Sequence, residues 1–238
     1  YSEPQMNLTD LPSDDIWNVD EETAQERLYE RFTVDVPGYV DWFMEAYSVD
    51  IRDLEPVEVW QLTGQAIAVY MRQIVSRNSE FDLWNQGEEV TLDEAAIRGA
   101  QLFSGDAGCS YCHSGPLFSD FQYHNLSLLS YDENGEVIDA GRVRVTGDEA
   151  DEGKFLTPML RSVLHTSPYF HDGGVFALED AIRYHFSDDA KLNPLHDPIL
   201  DVIPDLSDEE VGDLVAFLKS LDGEPIEQKY LTILPDMP

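Results

Sequence analysis

The sequence predicts a mainly α fold. Apolar residues recur at helical spacing in several segments, and Ser or Thr followed three residues later by Glu marks two helix starts. The third observation is a five-residue stretch, Cys109-Ser110-Tyr111-Cys112-His113, which follows directly on a predicted helix. With 238 residues, 42% of them apolar, the chain can bury a core without disulfide staples.

Residues 1–20 are acidic and contain Pro, and read as an extended arm. Residues 21–32 and 39–47 read as short helices separated by Pro37-Gly38. Residues 57–76 form the first long helical candidate, with Leu62, Ala66, Val69, Tyr70 and Ile74 on one face. A polar connection over 78–89 follows. Thr91 and Glu94 make a capping-box pattern that opens the next helix, whose apolar side is Ala95, Gly99, Leu102 and Phe103. The glycines at 105 and 108 end it just before Cys109. Residues 115–153 are loop-rich, with a hairpin signal at Glu133-Asn134-Gly135-Glu136. A short helix is expected over 157–163, another over Leu178–His185, and a loop over 187–204. Ser207 and Glu210 cap the last helix, lined by Val211, Leu214, Val215, Leu218 and Leu221 and ended by Gly223 and Pro225. A domain boundary is placed between residues 84 and 85, dividing 1–84 from 85–238.

Two thiols separated by two residues can each add to a haem vinyl group, and the adjoining His113 can reach the iron. Cys-x-x-Cys alone also suits a redox dithiol or half a zinc site. The adjacent His113 and the lack of any further cysteine argue for covalent haem c, in one copy. The fold is therefore expected to be that of a c-type cytochrome, with long loops covering one haem face. By chemistry alone the second axial ligand is open among His124, Met159, His165, His171, Tyr184, His185 and His196.

Fourteen Lys and Arg face 48 Asp and Glu, a formal net charge of −34. Such a surface repels nucleic acid and anionic membranes and attracts a cationic protein. Adaptation to salt or simple solubility accounts for it equally well. Against this background Arg142, Arg144, Lys154 and Arg161 stand out as a basic cluster suited to haem propionates. No apolar run approaches the ~20 residues of a membrane span, and the first residues do not read as a signal peptide; a trimmed exported protein would look the same.

The residues around the motif resemble the bacterial di-haem cytochrome c peroxidase family, which includes the MauG-type enzymes. The resemblance runs through Gly99-x-x-Leu102-Phe103, Gly115-Pro116-Leu117-Phe118-Ser119-Asp120, His124-Asn125-Leu126 and Asp139-x-Gly141-Arg142. It is strongest in Thr157-Pro158-Met159-Leu160-Arg161 and Thr166-Ser167-Pro168-Tyr169-Phe170-His171-Asp172-Gly173, and extends to the last helix. The resemblance implies a high-potential haem through which electrons enter. Its distal ligand lies fourteen residues beyond the position of His171, and is Met in the peroxidases and Tyr in MauG-type proteins. His185 occupies that position here, with Tyr184 beside it, a departure from both patterns. The resemblance also implies that Arg161 lies close to the haem, that His171 is an inter-haem residue, and that Thr166 and Pro168 offer carbonyl oxygens to a calcium ion. The family's earlier Cys-x-x-Cys-His, whose haem reacts with hydrogen peroxide, is not in these 238 residues. Pro4-Gln5-Met6 aligns weakly with the segment bearing the family's catalytic glutamate.

Two functions follow as expectations. The first is a one-haem electron-transfer cytochrome, bis-His and low-spin, serving a redox partner such as a basic cytochrome or a second haem-bearing chain. The alternative is a peroxidase-like oxidoreductase that reduces hydrogen peroxide together with a haem absent from this sequence. A structural or sensory haem domain is a weaker third. Covalent haem attachment points to a bacterial periplasm or outer surface.

Overall fold

In a computed structural model, residues 20–131, 134 and 137–226 are described. The extended arm, the Gln5 alignment and three of the four hairpin-turn residues lie outside them. The chain divides into two compact units, the first holding residues 20–75 and the second Ser76–Pro225. The division thus falls nine residues before the expected boundary.

The first unit is three helices, α1 (Glu21–Glu30), α2 (Gly38–Tyr47) and α3 (Pro56–Met71). Asp20 caps α1 by accepting from Thr23 N, and Pro56 at the first position of α3 suits a turn whose N–H groups have no helical partner. Phe32, Val40, Phe43, Ile51 and Val59 form the core of this unit.

The second unit is built on α5 (Glu94–Ser104) and α8 (Asp208–Ser220), with α4 (Glu80–Asn85) and α7 (Leu178–His185) completing its helices around a short one-turn α6 (Val143–Thr146). Helix α8 begins at Ser207 with the expected capping box, Ser207 Oγ accepting from Glu210 N and Glu210 accepting from Ser207 N. Its buried face, Val211, Leu214, Val215, Phe217 and Leu218, is the spine of the core. Gly99 lets α5 lie directly on it, because a Cβ there would sit 1.9 Å from Asp213 O. Four aromatic rings, Phe81, Phe103, Phe118 and Phe217, pack edge to face and tilted at 5.0–6.2 Å beside that crossing.

Several expected elements differ. Helix α5 is capped by Asp93, which accepts from Ala95 N, so Thr91 is not its N-cap; Asp93 is nearer the start of the buried Ala96, Gly99 and Phe103 face. Helix α4 replaces part of the polar connection, held by a Ser79–Asp82 capping box. Residues 157–162 are not helical, and only a single 3-10 turn, Val163–His165, follows them. Thr157 N donates to Gln122 O, which prolongs the ladder between β1 (Tyr123–Asn125) and β4 (Lys154–Leu156), and Ser162 has φ of 54°. A second small ladder pairs β2 (Ser130–Tyr131) with β3 (Val137–Asp139), the strands that flank the expected hairpin turn.

Candidate haem site

Helix α5 delivers the chain to Gly105, and Gly108 turns it with φ of 69° into the one-turn segment Cys109–Tyr111. Gly108 is also a close approach, since a Cβ there would lie 2.7 Å from Ile203 Cγ2. His113 N donates to Cys109 O at 2.9 Å, which gathers both thiols and the imidazole into one turn.

This turn forms part of the wall of a cavity of about 470 Å³. Phe103, Val163, Leu178, Ile182, Leu214 and Leu218 give the cavity much of its apolar lining, and Cys109, Cys112, His113 and His185 are among its polar residues. His113 Nδ1 donates to Phe118 O at 3.0 Å and His185 Nδ1 to Ala181 O at 2.8 Å. Carbonyl oxygens only accept, so each ring keeps its lone pair on Nε2. Burial, and then the neighbouring His185, lower His113 to about 4, and burial lowers His185. Both rings are therefore neutral at ordinary pH, the form that binds a metal. Burial pushes the Cys109 thiol up to about 12.

The donor set fits haem c. The cavity lies within the ~300–1,000 Å³ of ordinary cofactor sites, two thiols are present for vinyl addition, and two neutral imidazoles are close enough to influence each other.

The remaining predicted residues separate clearly. Met159 and His171 also line the cavity, as do Thr166 and Pro168. His171 stacks on Phe155 at 3.6 Å, and Thr166 Oγ1 donates to Val163 O. Tyr184 is not a lining residue; its hydroxyl donates to Leu126 O at 3.0 Å. His165 pairs with Asp222 and His196 with Asp201, both away from the cavity. Arg161 stands outside the lining as well, its guanidinium held by both oxygens of Asp82 at 2.8 Å and by Pro116 O. Arg142 and Lys154 share Asp151. The basic cluster expected for haem propionates is therefore largely committed to carboxylates. Among the described residues, no three His, Cys, Asp or Glu side chains gather as a separate metal site.

The sequence offers His124 as a candidate ligand and as part of the His124-Asn125-Leu126 segment. In the structure both its ring nitrogens are taken, Nε2 by Asp120 at 2.9 Å and Nδ1 by Asp197 at 2.5 Å. The Cys112 sulfur, then Asp197 and Asp120, raise it to about 10. Asp197 is 73 residues away in sequence, and no local pattern signals the pairing.

By this fold and this donor set the protein is of the c-type cytochrome class. No family model matches the chain. It is 31% identical over 229 residues to cytochrome c551 peroxidase of Nitrosomonas europaea, covering 96% of this chain and 62% of that protein. It is 34% identical over 191 residues to methylamine utilization protein MauG of Methylorubrum extorquens, covering 80% of this chain and 51% of that protein. The di-haem peroxidase BthA of Burkholderia thailandensis shares its fold, with a TM-score of 0.63 over 89% of this chain and 61% of that one at 19% identity. Over most of its length the chain is homologous to bacterial cytochrome c peroxidases and MauG, and it spans between half and two thirds of the length of these relatives. These likenesses favour the peroxidase-like alternative over an electron-transfer cytochrome that works by itself.

Proposed function

We propose that this chain is the electron-input part of a di-haem, peroxide-reducing oxidoreductase. Cys109 and Cys112 would hold one haem c, and His113 and His185 would be the ligands to its iron. A second haem, borne by further sequence or by another chain, meets the peroxide. The observation that carries this reading is the pair of neutral imidazoles at one apolar cavity, each with Nδ1 fixed by a main-chain carbonyl.

Haem, when attached, supplies a one-electron carrier. The protein's part is to hold and shield it. Phe118 O and Ala181 O set the two ring tautomers, and the apolar walls keep water from the centre. With both imidazoles given to the iron, this site would supply electron relay, and peroxide cleavage would need the second haem. A cationic redox protein is the proposed donor, and attachment of haem c places the protein outside the cytoplasm. Among the described residues no helix is long and apolar enough to cross a membrane. Calcium at the Thr166 and Pro168 carbonyls is part of the same proposal.

Electron paramagnetic resonance of the haem-loaded chain tests the site. A low-spin bis-imidazole signal is expected, with no carbon monoxide adduct on reduction. A high-spin ferric signal with rapid carbon monoxide binding contradicts it. Peroxide turnover by the chain joined to a second haem centre, and none without it, tests the enzyme assignment.

A further inference from the structure

Asp120, His124 and Asp197 form a closed ion network at the haem cavity, whose wall includes His124 and Asp197. A carboxylate offers only acceptors, and a neutral imidazole has a single N–H. Two carboxylate contacts at 2.9 and 2.5 Å therefore require protons on both ring nitrogens. Burial works against the Asp120 anion, yet the Gln122 amide and His124 hold it below the ordinary carboxylate value. The network is thus one cation between two anions, with a net charge of −1. The side chains of Asp120, His124 and Asp197 are 18%, 23% and 23% exposed, so water screens these charges only in part.

The network is tied to the haem-binding turn and to the far wall. Asp120 N donates to Cys112 O at 2.8 Å. Asp197 N donates to Asn125 O, and Asp197 Oδ1 accepts from Ile199 N at the start of the turn Pro198–Asp201. Ile199 and Leu200 of that turn line the cavity. Once Cys112 is a thioether its sulfur is neutral and a poor acceptor, and the two carboxylates remain as the partners of His124.

We propose that the Asp120–His124–Asp197 network sets the reduction potential of the haem, with His124 as the cation that offsets two carboxylates. The proposal rests on the reading that haem is bound in this cavity. Reduction adds one electron from the donor to the haem and breaks no bond. Each uncompensated carboxylate beside the cavity disfavours that electron, and the imidazolium favours it.

The experiment is a spectroelectrochemical titration of the haem-loaded full chain and two variants. His124→Gln removes the cation, and its potential is expected to fall. Asp197→Asn removes an anion, and its potential is expected to rise. Each shift is expected to be about tenfold in the reduction equilibrium, ~59 mV for one electron. A purely structural role would loosen the same turn in both variants, admit water to the haem and move both potentials in one direction. Shifts of the same sign, or none, overturn the proposal. Should His124→Gln take up no haem, Asp120→Asn joins Asp197→Asn: two rises support the proposal, and anything else sinks it. Paramagnetic resonance of the same samples reports ligation separately. A missing bis-imidazole signal contradicts the ligand assignment alone, because the opposed shifts require only a haem in the cavity.

Discussion

His113 and His185 each spend Nδ1 on a main-chain carbonyl, whereas His196 spends both ring nitrogens, on Asn193 O and Asp201. This separates a ring that can bind a metal from one that is already used. It leads to a direct prediction for His185. His185→Met is expected to keep the haem low-spin and raise its potential, since thioether ligation favours the reduced iron. His185→Ala is expected to open the site to carbon monoxide. Optical titration checks both, and spectra unchanged from the parent protein would remove His185 from the iron. A second residue-scale prediction concerns Asp82, which anchors Arg161 through two 2.8 Å bonds and accepts from Ser79 N. With 13% and 17% exposure the pair is mostly withdrawn from water, so Asp82→Asn is expected to cost on the order of 3 kcal/mol by stranding the guanidinium. Arg161, then Ser79, lower the Asp82 carboxyl, against burial. A lowered acid stabilises the fold above its unfolded value near 3.8 and loses that contribution as pH falls through the folded value. The stability gap between parent and variant, measured by chemical denaturation, should therefore be full at neutral pH and shrink below pH ~4. A gap independent of pH contradicts the ion pair.

The elements that carry the site depend on two local features, each open to test. Gly99→Ala would drive a Cβ into Asp213 O at 1.9 Å. Backbone cannot yield as a side-chain tip can, so α5 and α8 must separate, at a cost of ~3 kcal/mol or more. A thermal midpoint within a degree of the parent would mean that the crossing has slack. Ser207→Ala removes the acceptor for Glu210 N and is expected to cost about 1 kcal/mol. The Ser207 cap was legible in the sequence, as were α7 and the placing of Gly99 on the apolar side of α5, because helix periodicity and capping are local; the approach of Gly99 to Asp213 was not. What was not legible is non-local or short. Helix α4 has six residues, too few to show a period, and its inward ring Phe81 is recognisable only from its packing on Phe217. Strands β1 and β4 are three residues each and pair across a long loop. Their ladder also claims Thr157, which is why the Pro158 segment is extended and not helical. In the site, Cys109, Cys112 and His113 were evident from spacing, and His185 from a family resemblance. The Asp120–His124–Asp197 network depends on a contact over 73 residues and gave no sequence signal.

For the whole molecule the dominant quantity is charge. Of 14 basic residues, Arg31, Arg52, Arg98, Arg142, Lys154, Arg161 and Arg183 are paired with Asp35, Asp50, Asp213, Asp151, Asp82 and Asp208 among the described residues. The few cations are thus partly spent within the fold, and a formal charge of −34 presents an acid excess to any partner. If a cationic donor reduces this haem, long-range attraction speeds the encounter, and salt screens it over a Debye length of ~10 Å at 0.1 M. Stopped-flow reduction should then slow steeply as ionic strength rises from about 0.01 to 0.5 M with a basic cytochrome as donor. An acidic donor of similar potential should show the reverse slope, because screening relieves repulsion. Solubility or adaptation to salt makes a different prediction for the basic donor. In that case the acidic residues are spread without regard to the haem edge, and docking must itself tolerate salt, so its rate should hardly change. A flat dependence for the basic donor, with folding stability rising in salt, would assign the charge to solvation and leave the identity of the donor to surface shape.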